Sequence, residues 1–261
     1  MTRLLSTLIL SLFLIACSDD GVKSDPYADW SALDFYDEAS TALNAGEFEE
    51  AIKNLENLEA RFPFSPYARQ AQLDVAYAYY KFEEPESAIA AADRFIRINP
   101  RDKNVDYAYY LKGLADYNRG TGFLDSYFPR DLSQHDNKSM GDSLRSFSTL
   151  VERFPDSRYA NDAYQHMVFL RNKLAEAEIH AAEYYIKRKA WLAAAKRGQY
   201  VLENYPTTPA SRKGLAIMVQ SYKELGLNDL SADAQSVLDA NPIVTENLAD
   251  NTNTELEAPE K

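Results

Sequence analysis

Two short amphipathic segments in residues 35–63 constrain the fold of this chain more than any other feature of its sequence. The first segment ends at Gly46, and glycine takes the left-handed conformation of a helix C-terminus with little strain. The second places Phe48, Ile52 and Leu55 at helical spacing, so that one face is apolar, and a proline then ends it. A single helical hairpin cannot bury its apolar face, so the same pattern should recur along the chain.

The pattern does recur, with a proline closing each copy. Counted back from Pro63, Pro100, Pro155 and Pro206, small and large apolar residues take equivalent positions, and a weaker copy follows in residues 211–242. Small side chains let two helices approach, and large ones fill the groove beside the crossing. The interval from Pro63 to Pro100 is 37 residues, close to the roughly 34 of a tetratricopeptide repeat (TPR). The chain therefore resembles a TPR protein, which implies an all-α helical repeat solenoid of about five helix-turn-helix units, or about ten helices.

Two later intervals between the closing prolines are longer than one repeat. The interval from Pro100 to Pro155 spans 55 residues, and its surplus lies in residues 119–140, which contain glycine, proline and aromatic residues without a helical period. A long insertion in a compact repeat is usually functional or disordered, and Phe123, Tyr127 and Phe128 predict that this one packs on something. The next interval spans 51 residues. There, residues 158–187 keep a helical apolar stripe without Gly or Pro, which predicts one long helix, or two with a slight break.

The N-terminal residues 1–16 have the pattern of a lipoprotein signal peptide. Arg3 precedes a short apolar run, and the string LIAC at residues 14–17 resembles a bacterial lipobox. The run is too short to cross a bilayer of about 30 Å as a helix. An ordinary secretory signal is the alternative, but Cys17 is the only cysteine and stands at the small-residue cleavage point. We therefore expect Cys17 to become the lipid-carrying first residue.

The residue that follows Cys17 predicts the membrane to which the protein is attached. In bacterial lipoproteins an Asp after the lipidated cysteine implies retention in the inner membrane, whereas this chain has Ser18. The resemblance to lipoproteins thus implies a lipid anchor in the outer membrane, on its periplasmic face. Residues 17–30 are predicted to be a lipidated flexible tether, and residues 243–261 a disordered acidic tail.

Catalytic chemistry has little support in the sequence. The three histidines, His135, His166 and His180, are not arranged in a metal-binding or catalytic motif, and no phosphate-binding loop or nucleophile motif is present. We expect no catalytic residue, no metal and no cofactor. The formal net charge of −12 argues against binding nucleic acid.

Tyrosines carry more information, because the first helices of TPR units line a concave groove. Aromatic rings with hydroxyls would suit an extended peptide with alternating apolar side chains. The alternative is that many of these residues only pack between repeats. The residues predicted to face the groove and bind a substrate peptide are Tyr36, Leu43, Leu73, Tyr77, Tyr80, Tyr110, Leu114 and Tyr117.

Three strings give a more specific resemblance: RFPFSPYARQAQLDVAYAYYK, DRFIRINP and AEYYIKRKAW. Over nearly all of residues 1–242 the chain resembles the BamD family of TPR lipoproteins. Membership implies a non-enzymatic scaffold of the outer-membrane β-barrel assembly (BAM) complex. It also implies that the N-terminal repeats, residues 31–118, receive targeting signals of unfolded outer-membrane proteins. The C-terminal repeats, residues 141–242, would dock on the POTRA domains of BamA.

The same resemblance implies further partners and one contact residue. BamC and other BAM lipoproteins are expected partners. Arg197 matches a family arginine that pairs with an acidic residue of BamA, and its helix position predicts a free guanidinium at the edge of the apolar face. Two other classes stay open at this point. One is a TPR lipoprotein for type IV pilus or other envelope assembly, and the other, less favoured, is a cell-wall enzyme.

Overall fold

The structure, a computed structural model, describes residues 25–119 and 137–242. Within these ranges the chain forms ten α-helices and no β-strand, which confirms the prediction of an all-α chain of TPR-like helical repeats. No helix in the described part is long and apolar enough to cross a membrane. The helices are α1 (Ala32–Ala45), α2 (Phe48–Arg61), α3 (Ala68–Lys81), α4 (Pro85–Ile98), α5 (Val105–Arg119), α6 (Asn137–Arg153), α7 (Ala160–Lys187), α8 (Trp191–Asn204), α9 (Ala210–Glu224) and α10 (Asn228–Ala240).

The chain divides into two compact units, residues 1–75 and residues 76–261. In the described part of the first unit, α1 and α2 pack against each other around the fully buried Phe35 and Leu55. Helix α1 begins with a capping box, in which the Ser31 N–H donates to Asp34 Oδ2 at 2.7 Å and the Asp34 N–H donates to Ser31 Oγ at 3.3 Å. It ends at Gly46 with φ 77°, as the sequence predicts.

The residues just before α1 are folded onto the first unit. The Trp30 ring packs edge-on against Phe35 at 4.9 Å, and Tyr27 lies 5.4 Å from the same ring. Arg61 Nη1 forms an ion pair with Asp25 Oδ2 at 2.6 Å. Residues 25–30 therefore do not belong to a flexible tether, because two aromatic side chains cover an apolar surface that would otherwise face water.

In the second unit each helix from α4 to α10 packs against the next in the described part of the chain, and α7 also contacts α9. Helix α7 is a single 28-residue helix, so the first of the two alternatives for residues 158–187 is correct. Its first half packs Leu170 into a core with Phe147 and Leu150. Its second half packs Ile179 into another core with Val201. The helix is long because it serves two hydrophobic cores.

Helices α8 and α9 cross at two glycines. A Cβ placed on Gly198 would lie 2.6 Å from the carbonyl oxygen of Gly214, and a Cβ on Gly214 would lie 3.0 Å from the carbonyl oxygen of Gly198. These distances leave no room for a side chain at either glycine. The two helix backbones are therefore in direct contact at this crossing. Small residues at a helix crossing allow this close approach, but the repeat pattern did not identify these two glycines.

The insertion in the third repeat begins and ends in helices. Helix α5 runs to Arg119 and α6 begins at Asn137, so both ends of the predicted insertion, residues 119–140, are helical. Arg119 Nη2 pairs with Asp142 Oδ2 at 2.8 Å and with Asp116 Oδ1 at 3.1 Å. The pair with Asp142 links α5 to α6 at the two ends of the insertion. The predicted packing of its three aromatic residues lies outside the described residues.

Four helices end in the same kind of turn. Its left-handed residue is Gly46 in the first unit, and Glu83, Lys189 and Gly226 in the second, with φ between 58° and 77°. After Lys189, for example, the N–H of Ala190 donates to the carbonyl oxygen of Tyr185 at 2.9 Å. This is the hydrogen bond of a Schellman motif. Two of these turns use a residue with a Cβ where glycine would be less strained.

Candidate interaction surfaces

The first unit carries a polar cluster built by α1 and α3. The Tyr36 hydroxyl donates to Asp74 Oδ2 at 3.2 Å, and Gln70 Nε2 donates to Asp74 Oδ1 at 2.7 Å. The Tyr36 ring stacks on Tyr67 with 5.3 Å between centroids. All four side chains are partly exposed. The cluster therefore presents a carboxylate and two aromatic rings at the surface of this unit.

Burial dominates the electrostatics of this cluster. It raises the pKa of Tyr36 to about 12, and the neighbouring carboxylates of Asp74 and Asp37 add to the shift. Burial also raises the pKa of Asp74, while its hydrogen bonds from Gln70 and Tyr36 lower it. At neutral pH the Tyr36 hydroxyl keeps its proton and acts as a donor.

Three of the eight predicted groove residues lie in the protein interior. In the first unit Leu73 is 2% exposed; in the second, Tyr110 is 3% and Leu114 is 6% exposed. The Tyr110 hydroxyl donates to Asp162 Oδ2 at 2.7 Å, which explains how a tyrosine is accommodated there. Side chains this buried present almost no surface to a ligand. Direct peptide contact by these three is therefore not supported, and the alternative that some groove candidates only pack between helices is correct for them.

The other five predicted groove residues are partly exposed. Tyr36 and Leu43 belong to the first unit, and Tyr77, Tyr80 and Tyr117 to the second. Partly exposed groove candidates therefore occur in both units.

Tyr80 and Tyr117 sit at the border of a hydrophobic core in the second unit, with one side packed and the other accessible. Tyr117 meets His166 edge-on at 5.8 Å and Phe169 at 6.2 Å. Burial raises the pKa of Tyr80, and a hydrogen bond with Asn118 opposes that shift. Both tyrosines are therefore held in place from one side.

His166, one of the three histidines in the sequence, is a core residue. Its ring stacks on Phe147 at 4.9 Å, and its Nε2 lies 3.4 Å from Asp162 Oδ2. Burial lowers the pKa of His166, although the charge of Asp162 opposes the shift. Its Nδ1 is buried and has no hydrogen-bond partner in the part of the chain that the structure describes. No group of three or more His, Cys, Asp or Glu in the described ranges could hold a metal ion.

Arg197 lies on α8 and forms an ion pair within the chain. Its Nη1 donates to Glu178 Oε2 on α7 at 2.8 Å; the Arg197 side chain is 43% exposed and that of Glu178 is 15% exposed. The hydrogen bond and the charge of Glu178 raise the pKa of Arg197. The prediction of a free guanidinium was therefore wrong, because α7 and α8 pack together and bring Glu178 within reach.

Exposed apolar residues on α7 and α8 were missed in the sequence. Tyr200 follows Arg197 by three positions on α8, which places the two on one helix face, and Leu192 lies on the same helix. Both are exposed, as is Tyr184 near the end of α7. The sequence signal that could have identified them is the spacing of Leu192 and Tyr200. It places both residues off the helix face that carries the buried Ala194 and Val201.

Comparison with known proteins gives a family match over most of the chain. The YfiO family, described as an outer membrane lipoprotein, matches residues 28–238. The outer membrane protein assembly factor BamD of Neisseria meningitidis serogroup A is 43% identical over 244 residues, covering 92% of this chain and 91% of that protein. The BamD of Vibrio cholerae is 36% identical over 239 residues, covering 92% of this chain and 98% of the relative. These matches confirm the resemblance to the BamD family.

Solved structures of other helical proteins are more distant. The chain is 14% identical to the TPR2AB domain of yeast Sti1 in its pHSP90 complex, with a TM-score of 0.43, covering 80% of this chain and 76% of that one. A MamA structure is 13% identical with a TM-score of 0.39, covering 77% of this chain and 92% of that one.

Proposed function

The chain belongs to the YfiO family of outer membrane lipoproteins, and from this premise we propose that it is a scaffold for outer-membrane protein assembly. The observation that carries the proposal is the 43% identity to an assembly factor BamD over 92% of this chain. The identity to BamD also favours outer-membrane protein assembly over pilus assembly. In this proposal the protein catalyses no reaction, and the folding and insertion of substrates depend on binding geometry. Its partners are the POTRA domains of BamA, BamC and other BAM lipoproteins, and unfolded β-barrel proteins.

The proposed attachment is a lipid on Cys17, which lies outside the described residues, in the periplasmic leaflet of the outer membrane. Several acyl chains on one residue make a lasting anchor, because each buried CH₂ contributes about 0.8 kcal/mol. Cys17→Ala should give a folded protein that is not firmly attached to membranes. If this variant still fractionated with outer membranes from cells depleted of BamA, the anchor would lie elsewhere.

The proposed contact with BamA centres on Arg197 and the exposed Tyr200 beside it. An arginine and an aromatic ring on one exposed helix face are common anchors of protein interfaces. Arg197 is paired with Glu178, but almost half of its side chain is exposed. A carboxylate of BamA could therefore approach the same guanidinium, which has five N–H donors. Such an interfacial pair would be worth more than an exposed one.

The internal ion pair changes how this contact should be tested. Arg197→Glu would place a second carboxylate beside Glu178 and perturb this chain by itself. Arg197→Ala should instead cost the fold about 0–1 kcal/mol, since the pair is partly exposed, and release BamA from the purified complex at lower salt. Glu178→Gln is the matched control, because it removes the internal partner and leaves the guanidinium charged. Equal loss of BamA in both variants would mean that Arg197 acts only through Glu178.

Substrate binding is proposed for the partly exposed tyrosines, with Tyr77 and Tyr80 as the pair to test in the second unit. Because Tyr80 packs against a hydrophobic core, its ring should be kept. The double variant Tyr77→Ala with Tyr80→Phe should weaken binding of a β-barrel C-terminal peptide while melting remains cooperative. Tyr164→Ala, which removes an exposed tyrosine outside the predicted groove, is the control. Unchanged peptide affinity in the folded double variant would reduce both tyrosines to packing residues.

A further inference from the structure

Among the described residues, the side chains that donate hydrogen bonds to Asp74 are neutral. Each of its carboxylate oxygens accepts one hydrogen bond, from Tyr36 and from Gln70. The groups that shift its pKa include no lysine or arginine. A carboxylate oxygen can accept two hydrogen bonds, so one acceptor position remains on each oxygen of Asp74. A partly buried carboxylate without a cation is unfavourable, because desolvation is not offset by an opposite charge.

The surroundings of Asp74 in the first unit are strongly acidic. Residues 25–75 contain eleven Asp and Glu against three Lys and Arg. Two of those cations are engaged elsewhere, since Lys53 pairs with Glu50 and Arg61 with Asp25. The field at this surface therefore attracts cations.

We propose that the Tyr36–Asp74 cluster binds an arginine side chain of a partner polypeptide. This inference rests on the proposed binding of a polypeptide by the partly exposed tyrosines, of which Tyr36 lies in the first unit, and it adds the chemistry that the partner must supply. A guanidinium presents two parallel N–H donors, which match the two remaining acceptor positions of Asp74. Its planar face suits the stacked rings of Tyr36 and Tyr67, which are partly exposed beside the carboxylate.

Two other cationic ligands fit the cluster less well. A lysine ammonium is a compact, strongly hydrated charge, and it does not use a planar pair of acceptors. A divalent metal ion prefers several oxygen ligands, and in the described residues Asp74 belongs to no group of three or more His, Cys, Asp or Glu that could hold one. Arginine is therefore the side chain that uses both the carboxylate and the aromatic rings.

The test uses the full chain in detergent and a labelled probe, the peptide acetyl-Gly-Tyr-Gly-Arg-Gly-Phe-amide. A second peptide carries citrulline, the neutral isostere, in place of arginine. Fluorescence anisotropy should show about tenfold tighter binding of the arginine peptide, the scale expected for one charge-assisted bidentate pair. Asp74→Asn should abolish that preference. The control Asp37→Asn, which removes an exposed carboxylate next to Tyr36 in the chain, should keep it. Circular dichroism melting establishes that both variants are folded.

Each other outcome overturns a defined part of the reasoning. Equal affinity of wild type for the two peptides would overturn the arginine site and leave the proposed peptide binding in place. Equal loss of preference in Asp74→Asn and Asp37→Asn would show attraction by the general acidic field and no specific site. If neither peptide bound to the wild-type protein, the proposed peptide binding by the first unit would fail, and the arginine site with it.

Discussion

The glycine crossing between α8 and α9 predicts that Gly198→Ala destabilises the protein. The new Cβ would lie 2.6 Å from the carbonyl oxygen of Gly214 and 3.0 Å from Cγ of Met218. The Met218 side chain can move, but the backbone of Gly214 can move only with its helix. Reaching ordinary contact at about 3.4 Å requires the two helices to separate by about 0.8 Å, which is overpacking of a buried site.

The magnitude follows from two opposing effects. Overpacking of this kind costs about 1–3 kcal/mol, whereas replacing glycine by alanine inside a helix stabilises it by about 1 kcal/mol. Gly141→Ala on α6 isolates the second effect, because a Cβ at Gly141 has no atom within 4 Å. The free energy of unfolding of Gly198→Ala should therefore lie about 1–3 kcal/mol below that of Gly141→Ala.

Thermal unfolding followed by circular dichroism measures this difference. For a chain of this size each kcal/mol shifts Tm by about 2–4 °C. Gly141→Ala should melt at or above the wild-type temperature, and Gly198→Ala clearly below Gly141→Ala. Gly214→Ala should fall between them, since its Cβ would lie 3.0 Å from the nearest backbone atom. Equal melting temperatures for Gly198→Ala and Gly141→Ala would refute the close backbone contact.

Three further predictions concern single residues. Ser31→Ala removes the side-chain half of the capping box and should lower the free energy of unfolding by about 1 kcal/mol in urea titration; an unchanged midpoint would contradict the cap. Lys189→Gly should be neutral or slightly stabilising in the same titration, because relief of left-handed strain at φ 58° opposes the added freedom of the unfolded chain; a clear loss would show that this residue is not strained. His166 has a pKa lowered by burial, so the unfolded chain takes up its proton more readily, and stability should fall as pH drops below the usual value of 6.5. His166→Gln should flatten the loss of stability between about pH 7 and pH 5 in melts, and an equally steep loss would assign the effect to other groups.

The ends and lengths of helices could be predicted from the sequence wherever residues within a single helix determine them. Gly46 ends α1 because its position needs a left-handed residue, and that need is visible in one short segment. The continuous stripe without Gly or Pro in residues 158–187 predicted one long helix or two with a slight break for the same reason, and α7 is the single helix.

Contacts between distant residues could not be predicted in this way. Spacing alone gives the face of a helix, but a neighbouring helix decides whether that face is covered. Tyr110 was therefore expected in a groove and lies in the core. Arg197 and Glu178 are 19 residues apart, and Tyr36 and Asp74 are 38 apart, so their pairing depends on how the helices pack.

The ion pairs between α5 and α6 also set a condition for engineering this protein. Arg119, with its partners Asp116 and Asp142, fixes the two helix ends between which residues 120–136 run. A segment grafted between α5 and α6 would therefore inherit a fixed distance between its two attachment points, as long as Arg119 and both aspartates are kept. Loss of Arg119 would remove that fixed distance, and a graft that depends on it would lose its geometry.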